Sequence, residues 1–109
     1  VFGIRGMRGA TINRRLAAGL AELVARHAAH VPVTLVVTAS EDTADARNRV
    51  TAEERAAFRE ALGAIPYAFE PTLEGAVARL AADVRPDDLV LVLGAQGMDR
   101  AGEMLLARL

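Results

Sequence analysis

Short apolar runs alternate with longer amphipathic segments along this chain, and this alternation limits the possible fold more than any other feature. The runs "VFGI", "VTLVVTA", "IPYAFEP" and "LVLVLGA" are rich in β-branched or aromatic residues, as is typical of strands. The segments between them repeat apolar residues every three or four positions, as helices do. Strands separated by helices predict a mainly parallel sheet with helices on both faces. We therefore expect one three-layer α/β domain over residues 1–109.

Sequence signals also predict where individual elements begin and end. Thr51 and Glu54 form a capping-box pattern for the second helix, and Gly63 stands where that helix should stop. Thr72 predicts the start of the third helix, and the last helix is expected over about residues 99–109. The run "LVLVLGA" gives the strongest signal in the chain for a fully buried strand.

The first helix is expected over residues 10–29 on the basis of its apolar spacing. One face of that helix would carry the apolar residues Ile12, Leu16, Leu20, Leu23 and Val24. The third helix would turn Leu73, Val77 and Leu80 inward.

Composition excludes several classes of site and partner. All 13 basic residues are arginines, so the chain cannot supply the lysine of a P-loop or of a Schiff base. There is no cysteine, which excludes disulfides and thiolate metal sites. The net charge of −1 does not favour nucleic acid as a partner, and no apolar run approaches the roughly 20 residues of a membrane span. We expect a cytoplasmic protein without nucleic-acid or membrane partners.

The segment "GIRGMRG" after the first strand is a candidate anion-binding turn. Ligands of open parallel sheets bind beyond the carboxyl ends of the strands, which is where this segment falls. Gly3, Gly6 and Gly9 would let backbone N–H groups approach an anion at the start of the first helix, while Arg5 and Arg8 could add bidentate contacts. A tight turn with solvated arginines explains the same residues.

Two further strand ends contribute candidate substrate-binding residues. The loop after the second strand carries Thr38, Ser40, Asp42 and Arg47, a mixture of hydroxyls and opposite charges that suits a zwitterion such as an amino acid. A solvated loop with local side-chain turns is the alternative. Gly94 and Gly97 would allow close approach after the fourth strand, and Gln96 is a further binding candidate there. We predict no metal ligands, because Asp42 and Asp45 have no nearby histidine or third acid. We also predict no catalytic residue, because no nucleophile, base and orienting group occur together.

Three stretches together resemble the C-terminal domain of the Mur ligase family, whose relatives include folylpolyglutamate and cyanophycin synthetases. They are "VFGIRGMRG" before a helix, "TLVVTASED" with its long loop, and "RPDDLVLVLGAQGMD" near the end, so the resemblance spans nearly the whole chain. The residues that match the family's motifs are Gly3, Arg5, Gly6, Arg8, Thr38, Ala39, Ser40, Gly94, Ala95, Gln96 and Gly97. Members of the family that add a diamino acid carry an Asp-Asn-Pro-Arg phrase after the second strand, where this chain has "SEDTADAR", which leaves the amino acid open.

The resemblance implies a Rossmann-like, substrate-binding domain of an ATP-dependent amide ligase. In that family a carboxylate acceptor, such as a UDP-muramyl precursor in peptidoglycan synthesis, becomes an acyl phosphate that an amino acid attacks. ATP and magnesium bind mainly to a central domain, so this chain would be a fragment of a longer protein and inactive alone. The partners implied are the amino acid, the acceptor and that central domain.

Two other interpretations remain open at the level of sequence. One is a stand-alone small-molecule or nucleotide-binding module with a flavodoxin-like layout. The other is a structural interaction domain that uses an exposed sheet edge.

Overall fold

A computed structural model describes residues 1–6, 9–94 and 97–109 of the chain. Strands and helices alternate within these residues: β1 Phe2–Gly3, α1 Gly9–His27, β2 Leu35–Thr38, α2 Ala52–Leu62, β3 Tyr67–Glu70, α3 Leu73–Asp83, β4 Leu93–Gly94 and α4 Met98–Leu106. The loop between β2 and α2 contains one short 3₁₀ turn, Ala46–Asn48.

The strands form a parallel sheet in the order β3-β2-β1-β4, counted over the described residues. Phe2 of β1 pairs with Val37 of β2 on one side and with Leu93 of β4 on the other. Leu35 of β2 pairs with Tyr67 of β3. The prediction of a Rossmann-like α/β domain is confirmed. The flavodoxin-like layout is wrong, because that order places β1 between β2 and β3, whereas here β1 lies between β2 and β4.

Two apolar clusters fill the spaces on opposite faces of the sheet. The first joins β2 to α1 and α2 and contains Ile4, Ala17, Leu35, Val37, Phe58 and Leu62. The second lies beneath α3 and α4 and contains Leu73, Val77, Met98, Ala101 and Leu105. A helical layer therefore covers each face, as parallel strands require.

The predicted ends of α2 and the predicted start of α3 are confirmed by their capping geometry. The Glu54 N–H donates to Thr51 Oγ1 at 3.1 Å, and the Thr51 N–H donates to Glu54 Oε2 at 2.9 Å. Gly63 ends α2 with φ of 63°, in the region that favours glycine. Thr72 Oγ1 accepts from the Gly75 N–H at 3.0 Å at the start of α3.

The prediction of a fully buried fourth strand is wrong. β4 is limited to Leu93–Gly94, and Leu89 and Leu91 before it are 84% and 57% exposed. Val90 and Val92, by contrast, pack against the second cluster. The reason is that β4 lies at an edge of the described sheet, and α3 and α4 cover only one face of it.

The buried face of the first helix also differs from the face that the sequence predicts. Ile12 and Leu23, expected on its apolar face, are exposed, whereas Asn13 and Ala17 are buried. The prediction that Leu73 and Val77 of α3 face inward is confirmed.

Among the described residues, no helix combines the length and the apolar character needed to cross a membrane.

Candidate functional site

The carboxyl ends of all described strands open on the same edge of the sheet, as parallel pairing requires. Between β1 and β4 the chain changes faces, because α1 packs on one side of the sheet and α4 on the other. This is the point at which open α/β sheets form a ligand crevice. Gly94 has φ of 129°, and a Cβ there would lie 2.8 Å from the carbonyl oxygen of Gly3. Glycine therefore lets the two strand ends approach each other at the crevice.

The turn after β1 is held against the long loop that follows β2. The Gly6 N–H donates to the Asn48 carbonyl oxygen at 2.9 Å, and a Cβ on Gly6 would clash with the carbonyl oxygen of Arg49. Arg5 Nη2 donates to Asn48 Oδ1 at 3.4 Å. Arg5 thus lies beside the 3₁₀ turn that carries Arg47, whose side chain is exposed. The structure brings these two candidate arginines to the same segment.

A carboxylate of the chain itself occupies the start of α1. The Gly9 N–H donates to Glu54 Oε1 at 2.9 Å, and Glu54 is only 5% exposed. The predicted anion-binding turn therefore meets an internal anion at Gly9, and its Gly6 N–H is engaged by Asn48, so Arg5 is the described group of this turn that could meet an external anion. The sequence marked Glu54 only as part of a capping box, since nothing in its spacing indicates a contact with a residue 45 positions away.

Thr38 and Ser40 are buried at the end of β2 and shape a tight turn. The Ser40 N–H donates to Thr38 Oγ1 at 3.0 Å, and the Thr43 and Ala44 N–H groups donate to the Ser40 carbonyl oxygen. Ser40 has φ of 49°, a conformation that costs a non-glycine residue about 1–2 kcal/mol. Its hydroxyl lies 3.9 Å from Met98 Sδ, directly at the start of α4. Strained residues of this kind concentrate at functional sites.

Asp42 caps a helix through its side chain. Its Oδ1 accepts from the Leu73 N–H at 2.7 Å and its Oδ2 from the Glu74 N–H at 3.1 Å. The negative charge also complements the positive end of the α3 dipole. Both oxygens of this predicted substrate-binding carboxylate are thus engaged by α3, and Asp42 fixes the loop rather than presenting a free charge.

The start of α4 packs closely on the same loop. Gly97 has φ of 82°, and a Cβ there would lie 2.8 Å from Thr43 Oγ1. Contacts therefore link the ends of β1, β2 and β4 into one wall of the crevice. Arg8 and Gln96, two of the predicted binding residues, lie outside the described residues, as do Met7 and Ala95.

Asn13 is a buried polar residue that the sequence reasoning missed. Its Nδ2 donates to the Gly9 carbonyl oxygen at 3.2 Å, while its Oδ1 is buried and has no hydrogen-bond partner among the described residues. The sequence does place this asparagine directly after Ile12, on the side of α1 that was expected to be apolar. Asn13 lies one helical turn after the start of α1.

The described residues limit what the crevice could bind. Within residues 1–6, 9–94 and 97–109, no group of three or more His, Asp or Glu residues is placed to hold a metal ion. The described strand ends bring glycine backbone and the partly buried Arg5 together, beside the turn that carries Arg47, and guanidinium groups suit recognition of carboxylate or phosphate groups. A comparison with known protein families finds no matching family model, and a search of curated proteins finds no match either.

Proposed function

We propose that this chain is the substrate-binding domain of an ATP-dependent amide ligase of the Mur type, a domain that does not catalyse the reaction by itself. The supporting observation is that the three stretches carrying the resemblance meet at one crevice. Gly94 lies against Gly3, and Ser40 and Thr43 lie against the first residues of α4. Binding at this crevice would place the substrate where the family's motifs converge.

In this proposal the arginines of the crevice bind the carboxylate of the incoming amino acid. Arg5 is partly buried and oriented by Asn48, so its guanidinium loses less freedom on binding than that of the exposed Arg47. Arg8 and Gln96 complete the proposed set. With the carboxylate held at this end, the amino group of the substrate is left free to react with an activated acceptor.

The described residues do not form a principal binding site for ATP and magnesium. The chain has no lysine to contact the phosphates, and the described residues contain no cluster of acids for the cation. We therefore assign ATP and magnesium to a central domain of a longer protein, together with activation of the acceptor carboxylate. A cytoplasmic location and a role in peptidoglycan synthesis belong to the same proposal.

The test is ATP-dependent phosphate release by a protein in which this domain is joined to its ATP-binding domain. It is assayed with a panel of amino acids and a UDP-muramyl acceptor. Release that requires both the acceptor and one amino acid is the expected result. Arg5→Ala should then raise the KM for the amino acid, whereas Arg26→Ala, in the exposed pair with Glu22, should not. A well-folded protein that releases no phosphate with any pair would contradict the proposal.

Nucleotide binding by the chain alone is a second candidate function. The strand order β3-β2-β1-β4 matches the first four strands of the dinucleotide-binding order 3-2-1-4-5-6, and the crevice between strands 1 and 4 is where such folds hold phosphates. Titrating the isolated chain with ATP and with amino acids, followed by amide NMR, separates the two candidates. Shifts at residues 3–6 and 38–43 with a nucleotide alone would favour the second.

A further inference from the structure

The strand β3 leaves main-chain hydrogen-bonding groups unpaired at one edge of the described sheet. The Leu35 N–H donates to the Pro66 carbonyl oxygen at 2.8 Å, so Pro66 faces β2. In a parallel ladder the direction of these groups alternates along the strand. Tyr67 and Phe69 therefore direct their N–H and C=O groups away from the sheet. An unprotected edge of this kind is a template for a further strand.

Two arginines of α2 lie over the aromatic rings of the same two residues. The Arg55 guanidinium carbon is 4.6 Å from the ring centroid of Phe69, and that of Arg59 is 5.9 Å from the ring centroid of Tyr67. A guanidinium at such a distance is attracted to the face of the ring, which favours one position of the side chain. The attraction does not use the guanidinium N–H donors, so they can still bind a ligand.

Neither guanidinium has an ion-pair or hydrogen-bond partner within the described part of the chain. The ion pairs found there use Arg26, Arg79 and Arg108 instead. Arg55 and Arg59 are four residues apart on one helix, an arrangement that is unfavourable for two like charges. An anion between them would remove this repulsion.

A groove of about 650 Å³ separates α2 from the β3 edge and gives access to these groups. It is lined by Arg55, Arg59, Glu60, Tyr67 and Phe69, together with Ala52, Ala56 and Gly63. The groove therefore combines an open strand edge with two positive charges that have no partner among residues 1–6, 9–94 and 97–109.

The spacing of the two arginines matches that of an extended peptide. Four residues along an α-helix correspond to about 6 Å. Alternate side chains of a strand are about 6.5 Å apart and point to the same face. Carboxylates at positions i and i+2 of an added strand could thus each meet one arginine.

We propose that the β3 edge binds an extended acidic peptide segment by strand addition. The main chain of Tyr67 and Phe69 hydrogen-bonds the added strand, and Arg55 and Arg59 pair with alternate carboxylates. A nucleic acid fits less well, because it cannot pair with the strand edge, and because the groove offers only two arginines and includes Glu60.

Binding can be followed by tyrosine fluorescence, since Tyr67 is the one tyrosine and the chain has no tryptophan. The probe is a synthetic peptide of alternating Glu and Val, compared with a peptide in which Gln replaces Glu. We expect saturable binding of the acidic peptide, about tenfold weaker binding of the Gln peptide, and amide NMR shifts at residues 67–70. A Gln peptide that binds equally well would overturn the proposal.

Two controls separate strand addition from charge attraction. Methylating the peptide N–H groups that face β3 keeps every carboxylate but removes main-chain donors, so it should abolish binding to the unaltered protein. Arg55→Gln with Arg59→Gln should weaken binding about tenfold, and Arg14→Gln with Arg15→Gln on α1 should not. An unaffected methylated peptide, or tighter binding of a single-stranded oligonucleotide, would contradict strand addition by a peptide.

Discussion

The carboxylate of Glu54 connects the first turn of α1 with the first turn of α2. It accepts from the Gly9 N–H and from the Thr51 N–H, both at 2.9 Å, in a nearly buried position. A carboxylate between two helix starts also interacts favourably with both dipoles.

Replacing this carboxylate should therefore destabilise the protein measurably. Glu54→Gln retains the shape but turns an NH₂ group toward one of the two donors, and we expect a loss of about 1–3 kcal/mol in the free energy of unfolding. Glu53→Gln, an exposed neighbour in the same turn, should change it by less than about 0.5 kcal/mol. Urea unfolding monitored by circular dichroism measures both. Equal midpoints for the two variants would exclude the bridging role of Glu54.

The phenol of Tyr67 links stability to alkaline pH. Burial raises its pKa above the ordinary value of 10.0, and the charges of Arg55 and Arg59 oppose that rise. As the pH rises, the phenol of the unfolded chain therefore loses its proton at a lower pH than the phenol of the folded chain. Stability from Tyr67 is fully present below pH 10.0 and declines as the pH rises through the higher pKa of the folded state.

The titration of Tyr67 can be observed directly, because no other tyrosine contributes to tyrosinate absorbance. We expect a midpoint above 10.0 in the folded protein and a further rise in Arg55→Gln, which removes an opposing charge. Arg79→Gln, paired with Glu70 at 3.0 Å, serves as the control. A lower midpoint in Arg55→Gln would show that Arg55 does not act on this phenol.

At the scale of elements, the loop after β2 is fastened to the helix that begins after β3. Asp42 accepts from two amides of α3, and the Glu41 N–H donates to the Pro71 carbonyl oxygen at 3.0 Å. This attachment fixes the position of Ser40 beside α4. The crevice wall thus depends on a helix cap provided by a residue about 30 positions earlier in the chain.

Asp42→Ala should lower the free energy of unfolding by about 1 kcal/mol, within the range of about 0.5–2 kcal/mol measured for lost helix caps. Asp45→Ala removes the same charge from the same loop, but the Asp45 side chain makes no capping hydrogen bond. We expect that second variant to stay within about 0.5 kcal/mol of the unaltered protein. Thermal and urea unfolding provide the comparison, and similar losses in both variants would indicate a general charge effect.

Local signals were sufficient for the order of elements and for the ends of α2. Thr51, Glu54 and Gly63 act within their own helix, so their spacing alone predicts the boundaries. The exposure of Leu89 and Leu91 could not be predicted, because a continuous apolar run looks the same in a central and in an edge strand. Which strand lies at the edge depends on pairing between distant segments.

The common position of the strand-end residues could be predicted from the sequence, but their contacts could not. The strand-end rule correctly placed Gly3, Ser40 and Gly94 at one edge. It could not indicate that Glu54 reaches Gly9 or that Asp42 caps α3, since both contacts join segments more than 30 residues apart. The binding roles of Gly3, Ser40 and Gly94 remain predictions.

On the scale of the whole molecule, the two edges of the described sheet differ in character. The β3 edge is flanked by arginines, as protein edges commonly are, whereas the segment leading into β4 exposes leucines. Adjacent residues of that segment face opposite environments. Leu91 is exposed, and Val92 packs against the second cluster beneath α3 and α4.

Substitution of these two neighbours should therefore have opposite consequences. Leu91→Ser should leave the free energy of unfolding within about 0.5 kcal/mol and reduce binding of a hydrophobic dye, because it removes exposed apolar surface. Val92→Ser should cost about 1–2 kcal/mol, since it places a hydroxyl against the apolar cluster, and should leave dye binding unchanged in the folded state. Urea unfolding and dye fluorescence measure the pair. A larger loss of stability in Leu91→Ser than in Val92→Ser would mean that the covered and open faces of β4 are the reverse of those described, and that the second cluster does not extend to this edge.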